Sequence, residues 1–402
     1  MAVPDRRRAA RRGLALLIAS ALASAALALP ALASSPTPPG GAHSPQGKPA
    51  FGAYLHYGPA GVQRMKELTR WLGGQEPRVG HTYLPGDKWG NIEGGHGFLD
   101  SWAKWRRAKD DRMLVLNVPM MERNEAHLSD AAVRELLRGA ADGDFDDHFE
   151  VLAERLVELG VPDTVIVLGW EMNGVTYTHR CGPDPDSWKR YWQRIVKVMR
   201  SVEGQKFKFD FAPSRGMDAI PWTECYPGDE FVDIVGMDAY DQPQGLTFDQ
   251  QVSEPYGLQH HVDFARMHGK PISYPEWGLF RNGDNIRYML RMLAWMDQYK
   301  PLYNTITDYC PHGVWLCSDN PRASALYRVL LSTPLAPAPA TPTPTPAPTP
   351  APTPTPSQPP TAKPTAKPSA LPNCTPVDLE NWLEHQIGGE LTLCLQWAKR
   401  YR

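Results

Sequence analysis

Asp163-Thr-Val-Ile-Val-Leu-Gly-Trp-Glu-Met-Asn-Gly174 is the stretch that decides the fold. A β-branched apolar run leaves a turn and ends on a carboxylate, Glu171. Such a run has the pattern of a strand buried on both faces. Packing gives no reason for a glutamate at its C-terminal end. The pattern recurs at Lys270-Pro-Ile-Ser-Tyr-Pro-Glu-Trp-Gly278, where a second strand ends on Glu276.

Strands of the same kind are expected on either side, at Phe51–Leu55, Pro77–Tyr83, Arg112–Asn117, Phe207–Pro213, Val232–Asp238 and Gly313–Cys317. Between them lie amphipathic stretches near Ala60–Leu72, Phe98–Lys109, Asp130–Arg138, Asp144–Leu159, Asp186–Ser201, Thr247–His268 and Asn285–Tyr299, with a last one at Arg322–Leu331. Eight strand–helix alternations across residues 51–333 predict an α/β fold, a (β/α)8 TIM barrel. A doubly wound open sheet is the alternative, but no Gly-rich phosphate turn follows the first strand. In such barrels the chemistry sits at the C-terminal strand ends. The residues expected there are His81, Tyr83, Asn117, Glu171, Arg215, Asp238, Tyr240, Glu276 and Trp315.

The flanks differ in composition. Arg6–Arg8 and Arg11-Arg12 precede an apolar run, Leu14–Leu29, and Ala31-Leu32-Ala33 offers small residues for cleavage. Residues 1–33 therefore read as a secretory signal peptide, and 34–50 as a flexible lead-in. The apolar run is short for a membrane span, so no stable span is expected after cleavage. Residues 334–372 are a Pro/Thr/Ala-rich linker of polyproline type. Residues 373–402 form a short C-terminal segment with Cys374 and Cys394, able to staple it. Cys181 and Cys225 both fall in loops after strands and are able to pair. Cys310 and Cys317 flank the expected eighth strand, roughly 20 Å of extended chain, and should not.

A net charge of −2 supplies no general basic field for nucleic acid. The 12 His show no zinc spacing (His260 and His261 are adjacent) and no Cys-x-x-Cys occurs, so no metal or cofactor is implied. The 13 Trp and 15 Tyr suit both core packing and the faces of sugar rings.

Two carboxylates converging over a barrel mouth match the requirement of glycosidic bond hydrolysis. One protonates the leaving oxygen, and the other attacks the anomeric carbon or activates water. Carboxylates about 5–5.5 Å apart retain configuration, and two long glutamates suit that short separation. Glu171 lies between Trp170 and Met172, where desolvation favours the protonated acid. Tyr240, on the neighbouring strand, and Arg215 are placed to hold Glu276 ionised as nucleophile.

Trp170-Glu-Met-Asn-Gly174 resembles the His-Glu-Met-Asn-Gly acid/base motif of glycoside hydrolase family 26. Pro275-Glu-Trp-Gly278 is similar to the strand-seven nucleophile of the same clan, and Asp238-Ala-Tyr240 to the family's Asp-x-Tyr. Trp315 matches the clan's strand-eight tryptophan under the sugar. The resemblance covers roughly 51–331. It implies a retaining β-glycanase with a polysaccharide partner, acting on mannan, xylan or glucan, with Glu171 as acid/base and Glu276 as nucleophile. The family's His before the acid/base is Trp170 here, and its following Trp is Thr176, beside Tyr177. Candidate substrate contacts are Tyr240, Trp315, Asp238, Asn173, Trp170, His81, Arg215, Tyr177 and Trp277. Asn173 serves equally to shape its turn, and Arg215 to make an ion pair. Trp89 and Trp222 are further candidates. A monomer is expected. A binding protein without turnover is the rival reading.

Overall fold

The computed structural model describes residues 49–95 and 97–332, together with the backbone of 374–376 and 392–394. The expected signal peptide and linker lie outside these residues, as do nearly all of the lead-in and most of the C-terminal segment.

The chain runs β1 (Ala50–Tyr54), α1 (Gly58–Trp71), β2 (Val79–Tyr83), α2 (Trp89–Ile92), α3 (Asp100–Arg107) and β3 (Met113–Val118). It continues with α4 (Asp130–Asp142), α5 (Asp146–Glu158), β4 (Val165–Leu168), α6 (Pro185–Ser201), β5 (Lys208–Phe211), β6 (Ile234–Val235) and β7 (Ala239–Tyr240). Then come α7 (Phe248–Ser253), α8 (Leu258–Met267), β8 (Tyr274–Gly278), α9 (Ile286–Tyr299), β9 (Tyr303–Thr307) and α10 (Pro321–Ser332).

These strands form one curled parallel sheet, in the order β6-β5-β4-β3-β2-β1-β9-β8-β7. The two end pieces, β6 and β7, are successive in the chain and are halves of one interrupted sixth strand. Gly236 donates to Phe211 O on the β5 side, while Met237 donates to Ser273 O on the β8 side. Parallel bridges Ser214↔Asp238 and Val235↔Ile272 continue the pairing on both sides. The interior is filled by Val79, Val115, Val165, Val167, Ala212, Ile234 and Tyr303, with Trp170 packed against them. β-branched residues suit this pleated, doubly buried surface.

Four helix starts carry side-chain caps. Ser129, Asp184 and Asn285 side chains accept backbone N–H groups at α4, α6 and α9, and Thr247 and Gln250 form a capping box at α7. The single helix expected over Thr247–His268 is two, α7 and α8. Pro255 disfavours helical backbone at Glu254 and cannot supply an N–H itself.

A second correction concerns the eighth strand, which is Tyr303–Thr307 rather than Gly313–Cys317. Its sequence, Tyr-Asn-Thr-Ile-Thr, is too polar to resemble a buried strand, yet all five residues are buried. Gly313–Cys317 belongs to the loop that follows. There the Asp308 carboxylate accepts the N–H groups of Val314, Trp315 and Leu316. Because this segment is not extended, Cys310 and Cys317 approach to a Cα separation of 4.7 Å and form a disulfide. Cys181 and Cys225 pair as expected.

In the C-terminal segment, β10 (Cys374–Pro376) and β11 (Thr392–Cys394) pair antiparallel, with Cys374 opposite Cys394. Among the described residues no helix is long and apolar enough to cross a membrane.

Candidate active site

Glu276 lies on β8, where the register with β9 shifts between Tyr274 and Trp277. Such an irregularity re-aims side chains next to functional sites, and Pro275 fits it because it has no N–H to pair. Three groups from three other strands donate to the Glu276 carboxylate. Tyr240 Oη reaches Oε2 at 2.6 Å, Asn117 Nδ2 reaches Oε1 at 3.1 Å, and the Tyr83 hydroxyl supplies the third bond. Burial pushes the pKa of Glu276 up, and these three bonds offset part of that rise.

Glu171 is reached through a turn with left-handed backbone at Gly169 (φ 56°) and at Glu171 itself (φ 51°). That region is uncommon for a side-chain-bearing residue and persists only where its surroundings fix it. Here the Glu171 N–H donates to Ala212 O at 2.8 Å. Asn173 exchanges bonds with the Ser214 backbone, at 3.0 Å to its carbonyl and 2.9 Å from its N–H. Both ends of the Asn173 amide are thereby engaged in shaping the turn. Ser214 and Tyr177 hydrogen bond to the Glu171 carboxylate. Burial, followed by repulsion from Glu276, raises Glu171 to about 7. The two glutamates thus sense one another, and Glu276 has three side-chain donors where Glu171 has two.

A third carboxyl interacts electrostatically with both. Asp238 is buried, and neither of its oxygens has a partner among the described residues. Desolvation, with repulsion from Glu276 and Glu171, pushes its pKa well above the usual range.

A cleft of about 370 Å³ opens over Glu276, walled by Tyr54, Tyr57, Tyr83, Trp170, Tyr177 and Tyr309, with Arg64 and Glu125 farther out. Trp170 and Tyr177 are thus placed at the cleft, their rings 5.1 Å apart. Tyr54, Tyr57 and Tyr309 were not singled out from the sequence. Tyr54 ends β1, so strand-end position was the available signal. Tyr309 became visible only once the eighth strand moved upstream.

Other candidates sit elsewhere. Trp277 is fully buried, donates to Asn304 Oδ1 at 3.2 Å and packs near Tyr327 of α10. Arg215 forms an ion pair with Glu254 and donates to the carbonyls of Tyr240 and Gln242, bracing backbone rather than Glu276. Trp315 is half-buried in the loop after β9, with its N–H on the Asp308 carboxylate. Trp89 stacks on His148, and Trp222 is buried with its indole on Tyr256 O. His81 is fully buried beneath the cleft, with Asn117 and Thr305 on its two ring nitrogens. Cys310, Cys317 and Asp319 come within reach of one another as potential metal ligands, but the two cysteines are bonded together.

No curated protein matches the sequence. Among solved structures, a mannanase of Bacillus subtilis aligns over 70% of this chain and 84% of its own, at 17% identity and a TM-score of 0.50. A family 26 β-mannanase from Bacteroides ovatus aligns over 71% and 89%, at 18% identity and 0.50. A double mutant of the Cellulomonas fimi endo-β-1,4-mannanase aligns over 71% of both chains, at 16% identity and 0.53. At these identities the likeness is one of fold. The sequence model described as glycosyl hydrolase family 26 matches residues 147–310, the part of the chain that carries both Glu171 and Glu276. By that match and the shared fold, this α/β domain is similar to the glycosyl hydrolases of family 26.

Proposed function

We propose that the protein is a secreted, monomeric, retaining endo-glycanase that cleaves β-linked polysaccharide, with β-mannan as the first substrate to expect. The observation that carries this reading is the unequal support of the two glutamates. Glu276 receives three donors, whereas burial and the charge of Glu276 raise Glu171 to about 7. Pairs of carboxyls pushed apart in this way divide into an ionised and a protonated partner.

In the first step the Glu276 carboxylate attacks the anomeric carbon, forming a glycosyl ester, while protonated Glu171 delivers its proton to the departing glycosidic oxygen. In the second, ionised Glu171 takes a proton from water, whose oxygen attacks the same carbon and releases Glu276. The aromatic walls of the cleft supply flat apolar faces for the sugar rings. The mannanase names of the neighbours motivate mannan, while Trp170 and the exposed Thr176 depart from the family motif at the positions flanking the acid/base. Two disulfides in the barrel fit an oxidising compartment and so support export.

Reducing-sugar release by the full chain on mannan, xylans, mixed-linkage glucan and β-1,3-glucan tests the reading, with Glu276→Gln alongside. Turnover on one polysaccharide, lost in the variant, supports it and names the substrate. Absence of turnover on all of them sinks it.

A further inference from the structure

We propose that His81 is a positioning residue for the nucleophile, fixing the Asn117 amide so that its nitrogen rather than its oxygen faces Glu276. This rests on Glu276 being the nucleophile.

The geometry is a chain of hydrogen bonds across four strands, from Glu276 through Asn117 and His81 to Thr305. Asn117 Nδ2 donates to Glu276 Oε1 at 3.1 Å, and Asn117 Oδ1 meets His81 Nε2 at 2.9 Å. His81 Nδ1 meets Thr305 Oγ1 at 2.9 Å, and the same hydroxyl reaches the carbonyl of Pro275, the residue before Glu276. With its single proton on Nε2, the ring accepts at Nδ1 from the Thr305 hydroxyl, whose contact with the Pro275 carbonyl competes for the same proton. An ionised carboxylate only accepts hydrogen bonds, so Asn117 must present nitrogen to it. The two ends of an amide have nearly the same shape, so space alone does not choose between them. The choice is made at the far end, where Oδ1 needs a donor. Burial pushes His81 down to about 4, so the ring is neutral at pH 7 and has one proton to place. On Nε2 that proton locks Asn117 as observed. On Nδ1 it would leave a lone pair against Oδ1, and relief by rotation would turn the amide oxygen onto Glu276.

Glu276 also faces Tyr83 from β2, Tyr240 from β7, Asp238 just before it and Glu171 after β4, with Tyr54 and Tyr309 farther out. His81 itself packs against the rings of Tyr54 and Tyr83. Of these groups only Asn117 links the imidazole to the Glu276 carboxylate by hydrogen bonds.

The test compares the full chain with His81→Phe, which keeps a ring but no donor, and His81→Gln, which restores an N–H. The expected result for His81→Phe is a kcat lower by roughly ten- to a hundredfold, the scale of a lost bond to a charged group, with KM within about twofold. The acidic limb of its pH profile should move to higher pH, and His81→Gln should regain most of the loss. Wild-type kcat in His81→Phe overturns the proposal, as does a raised KM at unchanged kcat, which makes His81 a substrate contact. So does a His81→Gln no better than the Phe variant when both melt like wild type. Nitrogen NMR of the wild-type imidazole reads the tautomer without substrate. Nε2–H is expected, and Nδ1–H overturns the proposal even if His81→Phe fails to fold. If wild type and Glu276→Gln are equally inactive on every glycan, the functional reading falls, and the NMR result still decides the tautomer.

Discussion

Tyr240 Oη donates to Glu276 Oε2 at 2.6 Å and lies 2.7 Å from Thr307 Oγ1, so the phenol is held between the nucleophile's strand and the strand beside it. Since the phenolic proton is spent on Glu276, the Thr307 hydroxyl donates to Tyr240. Tyr240→Phe removes one of three donors to a buried carboxylate, a loss of roughly 1.5–3 kcal/mol. kcat/KM should fall about ten- to a hundredfold. The removed bond lowers the pKa of Glu276, so without it the acidic limb moves to higher pH, which a kcat/KM profile reads directly.

Glu171 must be protonated to help the leaving group depart. With its pKa raised to about 7, kcat/KM should decline as pH rises past 7. Glu171→Ala should reduce polysaccharide hydrolysis by roughly 10²–10⁴-fold. An aryl glycoside with an acidic leaving group should lose far less, because its departure needs no proton. Equal losses on both substrates would remove Glu171 from the acid role.

Asp210 is a buried carboxyl inside the barrel, accepting from Ser273 at 2.6 Å and Tyr303 at 2.7 Å. Burial raises it from 3.8 to about 7. The folded state therefore holds a proton that the unfolded chain releases, so stability declines as pH rises from about 4 to 7. Asp210→Asn removes that dependence. Its melting temperature should exceed that of wild type at pH 8 and approach it at pH 4.5, a comparison made by calorimetry at the two pH values.

The two barrel disulfides close loops of different length. Cys181–Cys225 spans 44 residues and Cys310–Cys317 spans 7. On the chain-entropy estimate they contribute about 4 and about 2 kcal/mol. Replacing Cys181 and Cys225 together by Ser should lower the melting temperature by roughly 10 °C, and replacing Cys310 and Cys317 by clearly less. A larger drop from the short loop would contradict that order.

The sequence by itself determined where the carboxylates stand. Apolar β-branched runs ending on Glu171 and Glu276 show up in local pattern, because burial of a strand on both faces is written in consecutive residues. The motif around each glutamate sufficed to suggest the chemistry. Only the tertiary structure decided what holds Glu276. Asn117 lies 159 residues away from it, and the chain of bonds through His81 to Thr305 joins four strands. Hydropathy also misplaced the last strand. Asn304, Thr305 and Thr307 resemble surface residues until the barrel gives each a buried polar partner, whereas Val314, Trp315 and Leu316 resemble a strand although their N–H groups cap Asp308. Apolar periodicity reports how much water a segment loses, but it carries no record of which distant donor will meet a buried acceptor.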